Sequence, residues 1–185
     1  MTEVEIASGK KRRSRCAAFM ADSRGATAVE FALVALPFLA LIVALIQTFL
    51  VFFAQASLES VVQQSSRLIL TGQVQSQKMK KEDFKSAVCK QAVILFSCDN
   101  LLVDVQVANT WSSTNTAAPT LTFDARGQVM NGWQFNAGDA GDIVVVRVMY
   151  QWPVFLGPLG FSLSNLSNGN RLIMASAAFQ NEPSS

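Results

Sequence analysis

The sequence predicts an α+β fold built on one long N-terminal helix. Three observations predict it. Phe31–Ala54 runs for 24 residues without a formal charge. Gln55–Thr71 continues at helical spacing but with apolar residues on one face only. From Leu101 onward the hydrophobic period changes to two, the period of half-buried strands. The expected architecture is a transmembrane-then-amphipathic helix packed on a small head, the head holding a second helix and an antiparallel sheet of about four strands. The expected divisions are a basic leader over 1–25, a long helix over 26–72 (transmembrane 31–54, amphipathic 55–71) and an extracytoplasmic α+β head over 73–185.

Composition narrows the functions open to such a chain. Of its 185 residues, 50% are hydrophobic and 15% charged, against about 25% charged in ordinary soluble domains. The apolar excess is concentrated in Phe31–Ala54. A net charge of +2 is too small to argue for a nucleic-acid partner. The chain has no His, which removes imidazole acid–base chemistry and His metal ligands together.

The leader carries Lys10, Lys11, Arg12, Arg13, Arg15 and Arg24 against Glu3, Glu5 and Asp22. Basic residues before a first apolar helix hold that end in the cytoplasm, so the chain reads as N-terminus in, C-terminus out. The alternatives for Lys10–Arg15 are a solvated charge run or a site for nucleic acid or anionic lipid.

Phe31–Ala54 is long enough, at about 1.5 Å per residue, to cross a hydrocarbon core of about 30 Å. It is too long for the core of a secretory signal peptide. Pro37 is costly in a soluble helix but tolerated with a kink in a membrane one. Ala28/Ala32 and Ala40/Ala44 permit close helix approach in lipid, or reflect only how common Ala is there. Gln47 suits a hydrogen bond across a helix interface.

Glu30 sits at the mouth of this run, where an acidic group needs a reason. It either lies at headgroup level near the positive end of its helix dipole, or meets a positive charge on a neighbouring chain. A cut after Gly25 would supply such a charge as the new α-amino group of Ala26. Glu30 would then be the fifth residue of the mature chain.

Gly25-Ala26-Thr27-Ala28-Val29-Glu30-Phe31-Ala32-Leu33, with Pro37 following, resembles the N-terminal signature of the TadE-like family, minor pilins or pseudopilins of bacterial Tad/Flp tight-adherence pili. The resemblance covers residues 23–72 and extends more loosely to Arg171–Pro183, which is similar to the family's closing strand and Glu-Pro ending. It implies that a prepilin peptidase removes the leader after Gly25, leaving Ala26 as the new N-terminus. It implies that Glu30 and Phe31 form the Glu-aromatic pair that supports assembly with other pilins. Flp pilins more often carry Tyr after the Glu; Phe31 keeps the ring without the hydroxyl. The major Flp pilin is very short, so a full head after the helix fits a minor component. The implied partners are the peptidase, other pilins or pseudopilins, the Tad inner-membrane assembly platform and the lipid bilayer. The implied location is the bacterial inner membrane, single-pass with a periplasmic head, and the assembled pilus.

In the amphipathic part, Leu58, Val61, Val62, Ser65 and Ile69 fall near one face and Glu59, Gln63, Gln64 and Arg67 largely elsewhere. A helix half in lipid and half on a head is the pilin architecture. Gly72 is a stop signal. Gln73–Lys81 reads as loop, with Lys78, Lys80 and Lys81 facing solvent. Glu82–Phe96 reads as the second helix, with Phe84, Val88, Ala92 and Leu95 on one face. Cys89 and Cys98 fall outside the membrane, where disulfides persist, and are expected to pair. Two Cys without His give too few soft ligands for a metal. Cys16 stays in the leader.

Leu101–Trp111 alternates Val103, Val105 and Val107 against Asp104 and Gln106. Ser112–Pro119 is loop, Leu121 and Phe123 mark a short strand, and Arg126–Gly141 is a Gly-rich stretch holding Trp133 and Phe135. Asp142–Trp152 is the strongest strand signal and Arg171–Gln180 closes the sheet. Asp139 and Asp142 near Asn136 suit either turn chemistry or a calcium ion, although EF-hand spacing is absent. Pro153–Phe161 is an apolar loop, either tucked under the sheet or presented to a pilin neighbour or the membrane.

No nucleophile–base pair, phosphate loop or dinucleotide fingerprint is visible. The sequence therefore implies a structural, non-enzymatic role with no cofactor. Two alternatives stay open: an unprocessed inner-membrane scaffold, and a membrane-tethered ligand-binding or enzymatic domain.

Overall fold

The computed structural model describes residues 25–92, 95–155 and 160–183; the leader, including Cys16, lies outside them. The elements are α1 (Ala26–Leu70), α2 (Gln73–Ser76), α3 (Lys81–Ala92), β1 (Leu101–Ala108), β2 (Ile143–Trp152) and β3 (Arg171–Gln180). The chain divides into two compact units, Met1–Ile42 and Val43–Ser185.

In the first unit, α1 presents apolar residues in every direction, with Phe31, Leu33, Val34, Leu36, Phe38, Leu39 and Leu41 all exposed. The most apolar window of 18 residues in this helix has a mean hydropathy of 2.7, so the helix is long and apolar enough to cross a membrane. Pro37 lies inside it and cannot donate a hydrogen bond to the Leu33 carbonyl.

The second unit holds the core. Ala54, Leu58, Val61, Val62 and Ile69 of α1 are buried with Phe84, Val88 and Ala92 of α3 against one face of the sheet. These are the positions that the 3.6-residue period selects. Glu59, Gln63, Gln64 and Arg67 remain exposed. α1 stops where Gly72 adopts φ 70°, a left-handed conformation that a residue with a Cβ resists. The sheet is antiparallel in the order β1-β2-β3. Val105 opposes Val146, and Val146 opposes Ala177, on the face turned to the helices.

Four boundaries differ from the sequence reading. The sheet has three strands rather than about four. Phe123 makes only an isolated bridge to Val129, because Asp124 Oδ1 accepts from the backbone N–H groups of Arg126 and Gln128, both at 2.8 Å. A side chain thus closes the turn that a ladder would have extended. β1 ends at Ala108 and gives way to a 3-10 turn at Trp111–Ser113.

The second helix spans Lys81–Ala92 rather than reaching Phe96. Cys89 and Cys98 are bonded, with Cα atoms 5.5 Å apart, whereas nine residues of continued helix would separate them by about 13 Å. A helix carried through Cys98 would therefore prevent the disulfide. Residues 73–76 form a helical turn within the expected loop. Lys81 is half-buried and donates from Nζ to the Trp133 carbonyl at 2.7 Å, while Lys78 and Lys80 are exposed as expected.

The Gly-rich stretch runs along the free edge of β1. Val105 N–H donates to the Gln134 carbonyl at 3.0 Å and Asn136 N–H to the Val105 carbonyl at 2.9 Å. Phe135 packs on Phe84 with ring centroids 5.5 Å apart. An irregular segment therefore covers an edge that would otherwise offer unpaired backbone groups.

On the sheet's other face, Asp104 and Arg147 are cross-strand partners and form a buried ion pair, Asp104 being 1% exposed. Arg147 Nε donates to Asp104 Oδ2 at 3.1 Å, and Gln134 N–H donates to Oδ1 at 2.8 Å. The carboxylate thus binds both a strand and the covering segment.

Removing one member of a buried pair typically costs about 3–5 kcal/mol. Arg147→Met is expected to destabilise the head by that order in urea unfolding followed by Trp fluorescence in detergent. Adding Asp104→Asn, which keeps an acceptor for Gln134 N–H but removes the stranded charge, is expected to restore a large part of the loss.

Candidate processing and assembly segment

The candidate site is Gly25–Phe31, at the start of α1. Gly25 is exposed and immediately precedes the helix. A Cβ built on Gly25 would meet no atom within 4 Å, and its φ lies outside the left-handed region. Gly72 is required by backbone conformation, but the described residues give no such reason for Gly25.

Glu30 lies beyond the first turn of α1, which contains no acidic residue. The dipole effect fades within that turn, so the helix terminus alone is a weak account of the charge. Glu30 is exposed, and among the described residues no side chain pairs with it. Phe31 beside it is 75% exposed. Ala28, Ala32, Leu36 and Pro37 line a shallow apolar groove on the same helix. Both Ala28 and Ala32 are small, which leaves room for another helix to approach closely.

Among the described residues, no group of three or more His, Cys, Asp or Glu could hold a metal ion. Asp142 Oδ2 accepts from Asp139 N–H at 2.8 Å, and Asn136 Oδ1 from Gly138 N–H at 3.1 Å. These are turn contacts, which account for the acidic pair the sequence singles out. The deeper part of the membrane-length helix contributes one unsatisfied group, the buried Oε1 of Gln47. Thr48 Oγ1 instead donates back to the Ala44 carbonyl at 2.8 Å.

Asp104 and Arg147 escape the sequence reading because β-alternation assigns Asp104 to solvent. The available signal was Arg147 itself, a lone cation inside Ile143–Tyr150, a run buried throughout.

The family model described as TadE-like protein matches residues 25–67. The match begins at Gly25 and ends within α1, so it covers the candidate segment and the head-packed face but not the sheet. It is the family that the Gly25–Leu33 signature resembles, and it points to a Tad pilus-associated protein. No curated protein and no solved structure matches the chain.

Because neither Gly25 nor Glu30 supports the head, Gly25→Ala and Glu30→Gln are each expected to shift its unfolding free energy by less than about 0.5 kcal/mol. A larger loss in thermal unfolding would assign these residues to folding.

Proposed function

We propose, for a chain whose long helix matches the TadE-like family, that it is a minor pilin or pseudopilin of a Tad/Flp-type pilus. A prepilin peptidase cuts after Gly25, and the new α-amino group of Ala26 becomes the positive partner of Glu30 on an adjacent subunit. The protein sits in the bacterial inner membrane by one span, N-terminus in the cytoplasm and head in the periplasm, until the assembly platform draws it among other pilins. Its role is structural.

The observation that carries this reading is Glu30, an exposed carboxylate without a partner among the described residues, on an apolar helix within the matched segment. A carboxylate near the edge of a bilayer is stabilised by a cation that arrives on another chain. The groove at Ala28 and Ala32 offers that chain's helix a close approach. The charge and the small residues therefore serve one packing event, made only after processing.

Intact-mass measurement of the membrane-extracted protein tests the cut. The expected mature chain starts at Ala26; a retained leader in pilus-producing cells would transfer the protein to the unprocessed-scaffold reading. Glu30→Gln is expected to be processed normally yet lost from sheared pili. Normal incorporation of that variant would remove the pairing from the mechanism.

A further inference from the structure

Beyond the segment at Gly25–Phe31, the head presents polar clefts, the free edge of β3 and an apolar loop after β2, and the loop has the most distinctive setting. Two contacts set the height of the sheet along α1. Gln55 Nε2 donates to the Met174 carbonyl at 2.8 Å, and Glu182 N–H donates to the Leu70 carbonyl at 3.1 Å. Gln55 to Leu70 spans about 22 Å of helix, and Met174 to Glu182 about 26 Å of extended chain. β3 therefore climbs α1 in step with it. Arg171 lies three residues below Met174, about 10 Å, which is level with roughly Thr48 on α1.

Trp152 opposes Arg171 in the sheet register, so the chain leaving β2 emerges at that level. It emerges beside the outer end of the apolar run, where Phe49, Phe52 and Phe53 are exposed on α1. Phe155 is 74% exposed and Phe161 37% exposed. Residues 156–159 lie outside the described residues, which leaves Phe155 and Phe161 as the loop's described aromatics. Gln151–Asn170 contains no formal charge over 20 residues, although 15% of the chain is charged. The next residue is a cation, Arg171, whose Nη1 donates to the Leu163 carbonyl at 2.9 Å. Asp99, which precedes β1, lines a polar cleft with Gln151, Pro153 and Asn170 at this end, on the side of the loop away from Arg171 and β3.

We propose that Phe155 and Phe161 insert into the interface of the bilayer that α1 spans, giving the head a second membrane contact. An exposed aromatic pair in an uncharged loop, level with the last two turns of the apolar run, fits the boundary between headgroups and acyl chains. Two separated contacts fix the head's tilt and hold its membrane-facing pole down. Leaving the bilayer for a fibre requires the loop to come out together with the helix.

The inference rests on α1 being a membrane span, and the test separates the two claims. The full-length chain with Cys16→Ser, its Cys89–Cys98 disulfide intact, is reconstituted in phosphatidylethanolamine/phosphatidylglycerol vesicles. A nitroxide is placed singly at Phe155→Cys, Phe161→Cys, Leu45→Cys in the apolar run, and Ala140→Cys at the far pole. Collision with oxygen is compared with collision with a water-soluble nickel chelate. The expected result is an oxygen-to-nickel ratio several-fold higher at 155 and 161 than at 140, with 45 highest of all. If 155 and 161 match 140 while 45 reports hydrocarbon, the span stands and the interfacial loop is overturned. If 45 also reports water, both fall. Shielding of 155 from both reagents would mean that protein covers the loop, which overturns lipid as its occupant.

Discussion

The head depends on one seam, the face of α1 from Ala54 to Ile69 against the sheet. Phe84 and Val88 of α3 join it, and the valines of β1 and β2 fill it from the opposite side. Burying a large aliphatic or aromatic side chain contributes about 1.5–3 kcal/mol relative to exposure, so this one face carries a large share of the head's stability. The consequence is mechanical. The outer end of the apolar run, from Val43, belongs to the same compact unit as the head, and the helix passes from one to the other without a linker.

That continuity explains the change of pattern along a single helix. Before Ala54 exposed apolar side chains point in every direction, so no 3.6-residue period marks one face, and a helix of this length and hydropathy could cross a membrane. After Ala54 one side meets a sheet and the other meets water, and the 3.6-residue period appears. Gln55 stands at the join, donating to Glu59 Oε1 at 2.9 Å and to the Met174 carbonyl at 2.8 Å. The first polar side chain after the apolar run thus ties the helix to the edge strand, at the height where the sheet's lower end is fixed.

What was legible in the sequence follows from the same physics. The long helix, its buried face, the Gly72 stop and the strands 143–152 and 171–180 were readable because burial on a regular element imposes a period. The candidate residues Gly25, Glu30 and Phe31 draw notice for the opposite reason, since the fold gives no need for a Gly at 25 or for an exposed charge and ring at 30 and 31. Less legible was whatever side chains decide case by case. Asp124 closes a turn that looked like a strand, the disulfide curtails α3, and Gln134–Asn136 covers the edge of β1 without forming a ladder. Asp104 was hidden because alternation predicts which face a residue takes, not whether a loop will cover that face.

Asp104 also shows why so irregular a segment holds still. The stretch from Asn109 to Gly141 contributes only isolated bridges, yet it covers one face and one edge of the sheet. Its backbone groups are met by side chains from every neighbouring element: Asp104 from β1, Lys81 from α3, Gln75 from α2, and Asn181 after β3, whose Nδ2 donates to the carbonyls of Ala137 and Asp139. Each polar atom so used is partly or wholly withdrawn from water, where an unmade bond costs more than a made one contributes. The arrangement is therefore specific as well as stable, because shifting the segment by one residue would orphan several of these groups together.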